Sequence, residues 1–93
     1  MTIKSQAVVT RELHEKAAEA HLVAQVSIQS ISSRLDLDFK TVYEGIQRYA
    51  PTWVFSNPNR VDALRREGRA YRRMLLEQLD GLAENYREVC HEQ

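Results

Sequence analysis

The sequence predicts an all-α fold, and three observations carry that expectation. Apolar residues recur at spacings of three and four along most of the chain, which places them on one side of a helix. Glycine and proline are scarce, three and two in 93 residues, so long stretches carry no helix breaker. Side chains suited to helix capping stand before successive apolar runs, at Ser27, Asp38 and Asn57. A chain of this length suits a single domain spanning residues 1–93. With 43% apolar and 28% charged residues, its balance is that of a folded protein and not of a disordered one.

The first helix is expected over residues 5–24, where Val9, Leu13, Ala17, Ala20 and Ala24 form a narrow apolar stripe. Its alanines invite close packing against another helix. Glu12, Glu15, Lys16 and Glu19 lie on the polar side. Residues 26–29 mark a break, with Ser27 as N-cap of a short second helix that presents Ile28, Ile31 and Leu35. Asp36, Leu37 and Asp38 interrupt the pattern, and Asp38 can cap a third helix over residues 39–49. Val42, Gly45, Ile46 and Tyr49 share one face of it, while Lys40, Tyr43, Glu44 and Gln47 share the other. Pro51 stops this helix, because the residue before a proline is pushed out of the helical region.

Residues 52–55 are apolar and β-favouring, and read as an extended cover on the core or the start of a minimal wing. Residues 56–59 read as a turn, with Asn57 capping a helix that has Pro58 at its first position. A C-terminal helical region over residues 58–90 carries Val61, Leu64, Tyr71, Leu75, Leu79, Leu82, Tyr86 and Val89, with Gly68 in a missing step. Gly81 can kink or end it. The spacing leaves open whether this is one helix or two. Leu35, Val42, Ile46 and Trp53 are expected in the core.

The net charge is zero, but it is unevenly spread. Residues 60–73 hold six arginines against Asp62 and Glu67, whereas residues 77–93 hold five acids against Arg87. The single cysteine, Cys90, excludes an internal disulfide and suits a reducing, cytoplasmic setting. Residues 1–10 lack the apolar core of a signal peptide, and no run reaches the ~18 apolar residues of a membrane helix, so no membrane role is expected.

The segment 27–49, SIQSISSRLDLDFKTVYEGIQRY, resembles the helix-turn-helix of bacterial, phage and plasmid DNA-binding regulators. In that motif Ile31 and Leu35 would face inward, Leu37 would plug the turn, and Val42 and Ile46 would face back onto them. Gly45 would sit where the two helices cross closely. The resemblance covers about a quarter of the chain. It departs at Asp36, where glycine is usual, at Ser32, where alanine is common, and at Asp38 and Glu44, which put negative charge near the DNA face.

The resemblance implies sequence-specific binding of double-stranded DNA by a small transcriptional regulator. Lys40, Tyr43, Glu44 and Gln47 would read base edges. Ser30, Ser32, Ser33 and Arg34 would touch phosphates, together with Arg65, Arg69, Arg72 and Arg73. Those arginines can equally pair with the acidic segment that follows them. The C-terminal region is expected to form a homodimer through Tyr71, Leu75, Leu79 and Leu82, with the basic half of one helix against the acidic half of its mate. The alternative function is a helical protein-binding module, an inhibitor, adaptor or assembly factor acting through its charged C-terminal helix.

Enzyme chemistry is not expected. The chain has no glycine-rich phosphate loop, no nucleophile motif and no clustered acid–base pair. A zinc site would need His14 and His21 to converge with Cys90 and His91. No metal or cofactor is expected.

Overall fold

The Ser5 hydroxyl accepts from the Val8 N–H at 3.3 Å and opens the first helix, α1 (Gln6–Leu22). Three of its alanines stand close together, and Leu13, Ala17, Ala18 and Ala20 are all fully buried. Alanine side chains let other helices come close from more than one side, so α1 becomes the central element. The computed structural model describes residues 5–91, and among them it contains six helices.

Helix α1 ends at Leu22, two residues short of the apolar stripe. Gln25 takes the left-handed conformation at φ 61°, and the Val26 N–H donates back to the Ala20 carbonyl at 2.9 Å. The His21 Nδ1 donates to the Val26 carbonyl at 2.8 Å and holds the same turn. Ser27 then caps α2 (Ile28–Leu35), accepting from the Ser30 N–H at 3.1 Å. Asp38 caps α3 (Phe39–Tyr49).

Residues 52–55, expected to be extended, instead enter a single helical turn, α4 (Trp53–Ser56). Phe55 and Ser56 donate their N–H groups to the Thr52 carbonyl at 3.0 and 3.1 Å. A β-favouring composition decides nothing where, among the described residues, no strand offers backbone partners, and these local bonds satisfy the groups instead. Trp53 is half-buried and not enclosed as expected. Its ring carries the Arg60 guanidinium 4.0 Å above the centroid.

Asn57 caps α5 (Pro58–Arg66), accepting from the Arg60 N–H at 3.2 Å with Pro58 in the first turn. The C-terminal region is two helices, divided at Gly68, whose φ of 58° favours glycine. The second is α6 (Arg69–His91), and Gly81 lies inside it without ending it.

Helices α6 and α3 both pack on α1, and α2 packs on α3. Tyr71, Leu75, Leu79 and Ala83 repeat every fourth residue along α6 and are buried. The first three were expected to form a seam with a second copy. They are instead buried within the chain, in the core formed where α6 packs on α1. Full burial of a leucine stabilises by about 1.5–3 kcal/mol, so this internal seam is a main source of cohesion. Leu35, Val42 and Ile46 are buried as expected.

On the other side of α1, His14 is 5% exposed and stacks on Tyr49, with ring centroids 5.8 Å apart. Gly45 presses against that imidazole. The glycine was expected at the crossing of the second and third helices; its close neighbour is on α1 instead. No helix among the described residues is long and apolar enough to cross a membrane.

Candidate nucleic-acid interface

The turn between α2 and α3 is built from local bonds. Asp36 takes the left-handed conformation at φ 56°, ψ 44°. The Leu37 N–H donates to the Ser32 carbonyl at 3.1 Å, closing the end of α2. Aspartate thus holds a left-handed backbone for which glycine is the more usual residue. Asp38 accepts from the Thr41 N–H at 3.4 Å and also from the Thr41 hydroxyl. The hydroxyl bond in particular holds the Asp38 carboxyl below its ordinary pKa. Its negative charge therefore faces the first turn of α3, where the helix dipole favours it.

Ile31 and Leu35 of α2 and Val42, Gly45 and Ile46 of α3 turn inward, and Leu37 packs half-buried on the same core. This inward set leaves Lys40, Tyr43, Glu44 and Gln47 exposed along α3. They are not independent of one another. The Gln47 Nε2 donates to the Tyr43 hydroxyl at 3.0 Å, and Lys40 lies 4.0 Å from the Glu44 carboxylate. Phe39, which sequence reasoning left out, is 55% exposed and stacks on Tyr43 with centroids 6.4 Å apart. The i, i+4 spacing of Phe39, Tyr43 and Gln47 was the available signal.

On α2, Ser30, Ser33 and Arg34 are exposed, while Ser32 is half-buried and its hydroxyl donates to the Gln29 carbonyl at 3.0 Å. The Ser32 proton is therefore engaged within its own helix. Arg34 pairs with Asp80 of α6 at 2.8 Å. Two neighbouring surface concavities bring these residues to the arginines of α6. One, of about 550 Å³, has Ser27, Ser30, Ser33, Arg34 and Arg72 in its lining. The other, of about 410 Å³, has Arg34, Arg69, Arg72 and Arg73. None of the α3 stripe residues lines either one.

The arginines divide by role. Arg65 donates to the carbonyls of Leu22 and Val23 at 2.9 and 3.2 Å, and Arg72 donates to that of Ala24 at 3.1 Å. Both satisfy carbonyls left over at the C-terminus of α1, where a cation also suits the helix dipole. Pairing with the acidic segment was the expected alternative to phosphate contact; for these two residues the partner is backbone instead. Arg69 and Arg73 stand exposed beside them.

His14 and His21 do not converge: one is buried under α3, and the other holds the turn after α1. The side chains of Cys90 and His91 lie outside the described residues. Among the described residues, no three His, Cys, Asp or Glu side chains gather to hold a metal. No protein-family model matches the chain, and neither the curated proteins nor the solved structures yield a match.

Proposed function

We propose that this chain is a small helix-turn-helix protein that binds double-stranded DNA sequence-specifically and serves as a transcriptional regulator. The observation that carries this reading is the α2–α3 unit. Ile31, Leu35, Val42 and Ile46 turn inward on either side of a left-handed Asp36, and α3 is left with an exposed polar and aromatic stripe that includes Phe39. In such a unit the second helix enters the major groove and the first crosses the phosphate backbone. Lys40, Tyr43, Glu44 and Gln47 then contact base edges, with Gln47 paired to adenine and Glu44 accepting from the cytosine amino group. Ser30, Ser33 and Arg34 meet phosphates, with Arg69 and Arg73 extending the cationic surface. Arg65 and Arg72 support that surface through their bonds to the end of α1.

Binding of paired half-sites calls for a homodimer, and this reading places its contact on the outward side of α6, where Met74 is 45% exposed. Light scattering at high micromolar concentration tests the association, and a monomer there removes it. Selection of bound duplexes from a random pool tests the function. A shared motif among the retained sequences is expected; a pool that enriches nothing overturns the proposal.

One observation favours the alternative, a helical protein-binding module. Arg34, Arg65 and Arg72 already donate within the chain, which lowers the supply of cations for phosphate. In that case charge reversal at Arg69 and Arg73 abolishes partner capture and leaves DNA retention at its background level.

A further inference from the structure

A groove of about 880 Å³ runs between α1, α4 and α6, lined by none of the residues assigned to DNA. One wall is acidic. Glu12, Glu15 and Glu19 follow one another at helical spacing on α1, and Glu84 stands across from them on α6. Lys16 of the lining pairs with Glu19 at 2.8 Å, and Arg11, just outside it, lies 3.6 Å from the Glu15 carboxylate. The lining itself carries four acids against one cation, so its formal charge is negative on balance. The rest of the lining includes apolar surface from Pro51, Trp53 and Leu82.

Two further observations point to an occupant. Gly81 lies inside α6 and lines the groove, and no atom comes within 4 Å of the place a Cβ would take. Packing within the chain gives no reason for glycine there, although glycine weakens a helix interior. What its absent side chain leaves is room. Trp53 already holds a guanidinium, that of Arg60, over its ring. The chain's own cation is thus already accepted beside this groove, on an aromatic side chain that contributes to its lining.

We propose that this groove binds a lysine- or arginine-rich amphipathic segment of a partner protein. The apolar side chains of the segment rest on Trp53 and Leu82, its cations face the glutamates, and its backbone passes over Gly81. The inference does not rest on DNA binding, since the two surfaces share no assigned residue.

Trp53 is the sole tryptophan, so its emission reports from the groove itself. Titration of the full chain with an amphipathic leucine/lysine peptide is expected to shift that emission saturably. The matching leucine/glutamate peptide is expected to leave it unmoved. Gly81→Leu is expected to weaken the basic peptide by about tenfold or more, the scale of one obstructed interface contact. Glu15→Gln combined with Glu84→Gln is expected to weaken it too, and it decides the matter should Gly81→Leu fail to fold. Arg69→Ala is expected to change nothing. The proposal is overturned by an absent or non-saturable shift, by equal responses to both peptides, or by full affinity in the folded groove variants. Arginine amide binding as tightly as the peptide would overturn the choice of a peptide occupant.

Discussion

The imidazole of His14 occupies the space in which residue 45 would carry its Cβ. An ideal Cβ built on Gly45 would stand 2.6 Å from the His14 Cγ, well inside the limit that real Cβ atoms respect. Helix α3 can therefore lie this close to α1 only with glycine at that position. The same contact seals the ring from water, so that the His14 Nδ1 is buried without a hydrogen-bond partner.

Gly45→Ala should destabilise the fold by ~1–3 kcal/mol, since overpacking outweighs the gain in helix propensity. The neighbour is a ring wedged against Tyr49, not the free end of a flexible chain. The double variant Gly45→Ala, His14→Ala should be less destabilised than the sum of the single changes, because removing the ring also removes the clash with the added methyl group. Urea denaturation of the four proteins measures this, and simple additivity would argue against the contact.

Burial lowers the pKa of His14 below 6.5. The unfolded chain binds a proton at that site as the pH falls through 6.5, while the folded chain resists it. Stability from this residue is therefore complete above pH 6.5 and is lost progressively as the pH falls toward the lowered folded value. Thermal melts at pH 7.5 and 5 should show a loss in the parent chain that is smaller in His14→Ala. Equal losses in the two proteins would remove the assignment.

Gly68 and Gly81 should respond oppositely to alanine. Neither has an atom within 4 Å of the added Cβ, so backbone conformation alone decides. At Gly68, φ is 58°, and Gly68→Ala should cost ~1–2 kcal/mol. Gly81 is inside a regular helix, and Gly81→Ala should stabilise by ~0.5–1 kcal/mol. Denaturant midpoints provide the comparison; a shift of the same sign in both would contradict the division between α5 and α6.

Gln47→Ala should cost ~1–3 kcal/mol on a selected DNA site and relax preference at one base pair. Arg69→Ala or Arg73→Ala should weaken binding to every sequence and flatten its salt dependence. Arg72 is a poorer probe, because its loss also uncaps the Ala24 carbonyl. Gel-shift titrations at two salt concentrations separate the effects. Equal losses for Gln47→Ala on selected and scrambled duplexes would end its role as a base reader.

Much of the helical plan was legible in the residues themselves. Ser27, Asp38 and Asn57 each cap the helix expected of them, because a cap reaches only the N–H three residues ahead and its partner is set by the local chain. The exposed stripe of α3 follows from the same kind of rule, since 3.6 residues per turn sort Lys40, Tyr43, Glu44 and Gln47 away from Val42 and Ile46. The sort does not reveal what each face meets. Only the tertiary structure decided that Tyr71, Leu75 and Leu79 are buried in the chain's own core, where α6 packs on α1, and that Gly45 admits His14. Arg65 and Arg72 reach carbonyls 42 to 48 residues away, a pairing that no local spacing encodes. Local geometry placed the helices; the competition among apolar faces for a limited buried volume chose their partners.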